Sequence, residues 1–287
     1  SASYNQTPVP VLNCTCYTVR LRLHLKGGDE KKIRASLQQC KESADSIWDA
    51  LNSDVKSHFL LLCCEYDRFT KNYNSFYRTC LNYLGSISLD SLSKEQAGEY
   101  AHDLAIAALL GSKLYNFGEI LLHPIMELLK DGNNAPLFSL LHAFNQGNIA
   151  KFESLTSYLM NHSVLRENVA QLKAKLCHMT LLELVFQAIA SNSKQLSFSK
   201  ISQATGVPLA ELEYLLMQAM SFGIIQGSID QISETLNVTN VQPRVFSETE
   251  QIRSMARSVQ FLGEKVANAR LITAQEAAEF VPSLRAK

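Results

Sequence analysis

From Asp29 to Met160 the apolar residues return every three to four positions, in runs broken by short polar turns. That period is the constraint that most narrows the fold. A helix with one apolar stripe cannot bury the stripe alone, so successive stripes joined by short turns must pack on one another. The first run holds Ile33, Leu37, Cys40, Ala44, Ile47 or Trp48, and Leu51, and Asp29 can cap its start. The next two runs predict helices over 53–70 and 72–84. The second carries Val55, Phe59, Leu62 or Cys63, Tyr66 and Phe69 inward, and the third stops at Gly85. Further helices are expected over 93–110, 119–130, 136–145 and 149–160, with Pro124 as a kink or a first-turn residue. Ala101, Ala105, Ala107 and Ala108 permit close helix approach. The lengths and pairing resemble a tetratricopeptide-like helical-hairpin array, although no period of about 34 residues is visible.

A long helix follows over 166–190, and the pattern changes near Asn192. The segment 199–205 reads as a short helix ended by Gly206. Val207-Pro208 make a turn and 209–221 reads as a second helix. The segments 223–229, with a glycine bend, and 236–241 read as the two strands of a hairpin. Helices followed by a two-stranded wing describe a winged helix. From Ser247 a helix is expected to about Arg270. Ile252, Met255, Val259, Leu262 and Val266 are spaced by three, four, three and four, the interval of a coiled-coil seam. Twenty-four such residues span about 36 Å, more than a small winged helix needs. The seam is therefore expected to face partner helices. Residues 272–287 are expected to form a tail. At the other end, Val19–Leu25 alternates apolar and polar residues before Gly27-Gly28, a strand pattern that could equally be a helix end.

Charge and chemistry narrow the function. Twenty-seven basic and 27 acidic residues cancel, so no global field draws nucleic acid or an acidic membrane. The second helix of the turn has no Lys or Arg and carries Glu211 and Glu213, a poor match to phosphates or base edges. DNA binding by this module is not expected; protein contact is. No run of 18 apolar residues predicts a membrane span, and the first dozen residues are not a secretory signal. The chain opens on serine, so part of a longer natural N-terminus is expected to be missing or processed. Seven cysteines, two of them adjacent at Cys63-Cys64, suit buried thiols in a reducing compartment. Cys14-x-Cys16 lacks zinc-site partners at the usual spacing.

The seven histidines form no H-E-x-x-H or histidine–cysteine cluster, and His123, before Pro124, reads as structural. Cys80, Cys177 and His178 have nothing to place them together as a nucleophile set. Gly111-Ser112-Lys113 lacks the glycine-rich frame of a phosphate loop, and the G-x-S-x-G elbow is absent. The expectation is no catalytic residue, no cofactor and no metal.

Several short blocks carry a resemblance. They are Tyr83-Leu84-Gly85, Leu109-Leu110-Gly111, Tyr115-Asn116-Phe117-Gly118-Glu119 and Leu121-Leu122-His123-Pro124. Ala143-Phe144-Asn145 with Gly147-Asn148, Gly227-Ser228-Ile229-Asp230 and Val241-Gln242-Pro243-Arg244-Val245 complete the set. The stretch from about Asn72 to Phe246 resembles the non-ATPase regulatory subunit 13 family of PCI-domain proteins in the 26S proteasome lid. Coverage weakens before Asp29 and after about Arg270.

The resemblance implies a mostly α fold: a TPR-like helical-repeat arm, a PCI domain with a winged helix, and a long C-terminal helix. On this chain it suggests an N-terminal segment over 1–28, the arm over 29–110, the helical part of the PCI domain over 111–191, the winged helix over 192–246, the C-terminal bundle helix over 247–271 and the tail over 272–287. Family members are usually longer at the N-terminus. The implied function is non-catalytic scaffolding of the lid, and through it ubiquitin-dependent protein degradation, in cytoplasm and nucleus. The implied partners are other PCI-domain lid subunits, joined as a hetero-oligomer through the winged helix and a helix bundle, with no nucleic acid and no membrane. Candidate interface residues are Ile225 and Val238 in the wing, and Ile252, Met255, Val259, Leu262 and Val266 in the last helix. The alternative is a PCI scaffold of the signalosome or of a translation initiation factor. A nucleic-acid-associated PCI protein would need a basic winged helix, and an enzyme would need a convergent polar cluster.

Overall fold

The computed structural model describes residues 34–35, 37–38, 52–88, 92–130, 134–190, 193, 195–245 and 249–285. The N-terminal strand-or-helix segment and nearly all of the helix expected over 29–51 lie outside them. Twelve α-helices and three strands follow within the described residues from Ser53 onward. The chain divides into two compact units: 1–114, 123–141 and 155–172 in the first, and 115–122, 142–154 and 173–287 in the second.

In the first unit, α1 (Ser53–Phe69), α2 (Tyr73–Ser86) and α3 (Lys94–Leu110) pack in sequence, α1 on α2 and α2 on α3. Asn72 starts α2 by accepting the Ser75 N–H on its side chain. Gly85 does not stop α2, which runs one residue further before Ile87 turns extended. Ser93 and Gln96 form a capping box at the head of α3, which satisfies two orphan amides at once. Ala101, Ala105, Ala107 and Ala108 are all buried, so this helix packs on more than one side with little side-chain bulk between backbones. Cys63 and Cys64 are both buried, as is Cys80 on the facing helix.

Pro124 sits at the start of a 3₁₀ helix, Pro124–Leu129, where its missing N–H costs nothing. His123 Nδ1 accepts the Ile125 N–H there, the structural role expected for it. The unit also holds α7 (Thr156–Asn161) and α8 (Ser163–Glu167). Two helices expected as single are divided. The first breaks at Leu155, between α6 (Ile149–Ser154) and α7, where Ser154 donates to the Lys151 carbonyl. The second breaks at Asn168, whose amide donates to the Val164 carbonyl. Such side chains compete with the helical ladder. Helix α9 then runs Val169–Ala190, and α5 is Ala135–Gln146.

The second unit includes α4 (Phe117–Leu121), α6, most of α9, and the winged helix. Phe117, Phe144 and Phe152 form its aromatic centre, with ring centroids 5.5 Å and 5.8 Å apart in succession. The winged helix comprises α10 (Phe198–Thr205), α11 (Leu209–Ser221), β2 (Ile225–Asp230) and β3 (Thr235–Val241). Gly206 ends α10 at φ 69°, a conformation that suits glycine. A third strand, β1 (Gln195–Ser197), was not expected. It pairs antiparallel with β3, giving the order β1-β3-β2. Three residues are too few to show a period in sequence.

The last helix, α12, runs Thr249–Arg285. The expected tail after Leu271 is therefore corrected. Residues 272–281 contain no Gly or Pro, and alanine and glutamate at 274, 276–279 favour helix. No helix among the described residues is long and apolar enough to cross a membrane.

Candidate interaction surfaces

Two blocks far apart in sequence meet beneath the wing. Gln242 N–H donates to the Ile224 carbonyl at 2.8 Å, so the chain leaves β3 still registered on the wing. Val245 N–H then donates to Asn116 Oδ1 at 2.9 Å. A Cβ on Gly118 would fall inside contact distance of the Val245 carbonyl, so only glycine permits this approach. Between them, the Arg244 side chain is 3% exposed and pairs with Glu183 on α9. Its guanidinium also donates to the Asn145 carbonyl at 3.3 Å and lies 4.6 Å from the Phe186 ring centre. A buried guanidinium held by a carboxylate, a carbonyl and a ring face is strongly directional. This clasp fixes the segment that leads from the wing toward α12.

Gly147 serves a similar role. Its φ is 62°, and a Cβ there would stand 2.7 Å from the Thr180 Cα. Thr180 Oγ1 donates to the Gly147 carbonyl at 2.8 Å, so α9 rides against the turn. Gly227 lies at an irregularity in the β2–β3 register, where a Cβ would collide with the Asn237 carbonyl. Thus Gly118, Gly147 and Gly227, each in a block that carries the sequence resemblance, sit where backbones touch.

Near this clasp, Lys175 on α9 is 5% exposed, with its ammonium 5.6 Å from the Tyr115 ring centre and 5.1 Å from that of Phe117. Burial pulls its pKa down to about 7, while the ring faces favour the charged form. Tyr115 also stacks on Phe222, and burial pushes its phenol up to about 12.

The wing residues singled out from sequence are interior. Ile225 is 1% and Val238 5% exposed. The pleat turns both side chains into the core, so neither side chain is offered to a partner. Val238 also lies on the middle strand, paired with Gly227 of β2. A partner strand would have to add at the edge, β1 or β2. The surface that sequence reasoning missed is the outer face of α11. Leu212, Leu215, Leu216 and Ala219 point inward, leaving Tyr214 66% and Met217 61% exposed. The signal was present: both fall about half a turn from the buried row. Gln231 from the wing tip donates to Glu213 at 2.9 Å, tying tip to helix. Asp230 accepts the Ile232 and Ser233 amides at 3.1 Å each, which orders the turn.

On α12, Ile252, Met255, Val259, Leu262 and Val266 are 55–61% exposed. At 3.6 residues per turn they fall within an arc of about 80°. Phe261 and Ile272, also exposed, lie on the opposite side of the same helix. The helix is apolar on two faces, not on one seam alone.

The fold and these surfaces define a PCI-domain protein: helical repeats and a helical segment capped by a winged helix. A family model for the PCI domain matches residues 153–240, and one for PSD13 N-terminal repeats matches residues 4–141. The chain is 38% identical over 229 residues to 26S proteasome regulatory subunit RPN9 of Saccharomyces cerevisiae, covering 79% of this chain and 57% of that protein. It is 34% identical over 243 residues to 26S proteasome non-ATPase regulatory subunit 13 of Dictyostelium discoideum, covering 81% of this chain and 63% of that one. Eukaryotic translation initiation factor 3 subunit M of Emericella nidulans is 25% identical over 166 residues, 54% of this chain and 36% of that protein. The chain is thus similar to 26S proteasome non-ATPase regulatory subunit 13 over most of its own length. It spans about three-fifths of the length of these two proteasomal relatives.

Proposed function

We propose that this chain is a non-catalytic structural subunit of the proteasome regulatory-particle lid, and that it serves ubiquitin-dependent protein degradation by joining other PCI-domain subunits. The observation that carries the reading is the apolar stripe on α12, exposed along five residues of coiled-coil spacing. Each such side chain gains roughly 1.5–3 kcal/mol at most when buried against a partner, and association entropy takes back part of the sum. The outer face of α11 supports a second contact, with Tyr214 and Met217 flanked by Glu211 and Glu213 rather than by Lys or Arg. That composition favours a protein partner over nucleic acid. The wing would contribute through a strand edge. A cytoplasmic and nuclear location follows from the same reading, as does the absence of catalytic residues. The initiation-factor alternative rests on a weaker likeness over a shorter stretch. The test is to purify the tagged protein from its own cells and identify stoichiometric partners. Recovery of lid subunits supports the proposal; recovery of initiation-factor or signalosome subunits without them replaces it.

A further inference from the structure

His102 on α3 and His162, in the turn between α7 and α8, face each other with their Nε2 atoms 3.4 Å apart and their ring centres 5.5 Å apart. Two imidazoles on one tetrahedral ion, with metal–nitrogen bonds of about 2.0–2.1 Å, have nitrogens about 3.4 Å apart and ring centres about 5.3 Å apart. The pair thus has the spacing of a chelate. We propose that His102 and His162 form a two-imidazole site for a divalent first-row transition ion of the zinc class.

The surroundings fit that role. His102 Nδ1 lies 3.4 Å from Asp103 Oδ1, and Asp103 is itself paired with Arg68 on α1. A carboxylate behind a ligating histidine fixes the tautomer that leaves Nε2 free to bind metal. His162 Nδ1 is enclosed without a hydrogen-bond partner, so packing beside Tyr158 holds this ring and its tautomer is not pinned. One N–H bridging the two Nε2 atoms accounts for their contact as a hydrogen bond. The ion takes the place of that proton, which moves to His162 Nδ1. His102 also lines a cleft of about 640 Å³ with Arg68, Lys94, Glu95, Glu99 and Asp103. Among the described residues no set of three histidine, cysteine or carboxylate ligands converges here or elsewhere. Protein supplies two positions and water the rest.

The test is calorimetric titration of Zn²⁺ into the full chain after chelator treatment. One ion per chain is expected. His102→Ala and His162→Ala each remove that binding, Asp103→Asn weakens it about tenfold or more, and His58→Ala, at an exposed position on α1, leaves it unchanged. Melting curves establish that each variant folds. Imidazole ¹⁵N spectra of the unaltered protein give a second readout that needs no variant. Zn²⁺ should shift His102 and His162 and spare the other five histidines. Absence of binding, binding that survives both histidine substitutions in folded protein, or shifts confined to other histidines would overturn the proposal.

Discussion

Replacing Lys175 by methionine removes a buried ammonium while keeping the length of its stem. The folded chain holds Lys175 at a pKa of about 7, against an ordinary value of 10.5, because burial penalises the charge. The folded state therefore binds fewer protons at this site than the unfolded chain does. Stability is highest above pH 10.5, falls as the pH drops toward 7, and is level below that. The site costs about 4 kcal/mol at pH 7 and about 2 kcal/mol at pH 9. Attraction to the Tyr115 and Phe117 rings offsets about 1–2 kcal/mol of the charged form's penalty. Lys175→Met should thus be at least as stable as the parent at pH 7. Its advantage should shrink by about 2 kcal/mol at pH 9. Urea denaturation of both proteins at the two pH values measures the double difference. Other groups that titrate in this range cancel in it. A variant that loses stability at pH 7 with no change of slope would refute the reasoning. It would mean the ammonium is stabilised by its surroundings rather than merely tolerated.

Other outcomes follow from the same geometry. Glu183→Ala leaves the Arg244 guanidinium buried without its carboxylate and should cost about 3–5 kcal/mol in urea denaturation. Gly118→Ala drives a methyl into the Val245 carbonyl and should open the clasp, read as faster proteolysis between Val245 and Thr249. Burial holds His178 below the usual histidine range, with the Ala174 carbonyl opposing it. Its neutral form is favoured by folding, so stability is full above about pH 6.5 and falls as the pH drops through the folded value. Melting temperature should decline from pH 7 to 5, and His178→Leu should blunt the decline.

Much of this is legible in the sequence where a period runs for two turns or more. α1, α3, α10 and α11 lie within a residue or two of their expected bounds because stripe, cap and stop agree: Ser93 caps α3, and Gly206 closes α10. The failures have physical causes. Helices break after Ser154 and at Asn168 without Gly or Pro, beside side-chain bonds that no period reveals. β1 is too short for alternation, and α12 continues because nothing between 272 and 281 breaks it. For the surfaces, the α12 stripe was visible because exposure does not disturb its spacing. Strand position alone offers Ile225 and Val238 as partner contacts, but sheet order and pleat decide burial. Tyr214 and Met217 stand on the face of α11 that lacks basic residues, and their exposure depends on which row of that helix the fold buries. The histidine pair spans 60 residues, and only the fold could bring it together.

The claim that α12 docks into a lid assembly is tested most directly by changing Val259 and Leu262 together to aspartate. Both side chains are about 60% exposed in this chain, so the isolated protein's melting temperature should hardly move. In a bundle each carboxylate would cost several kcal/mol unless paired, so recovery of the variant in assembled lid should collapse. The measurement is the pair of readouts, melting and incorporation, on the same preparation. An unchanged melt with lost incorporation is the predicted result. Full incorporation of the double variant, or a melt lowered by more than about 10 °C, a shift that marks loss of the chain's own core packing, would contradict the account.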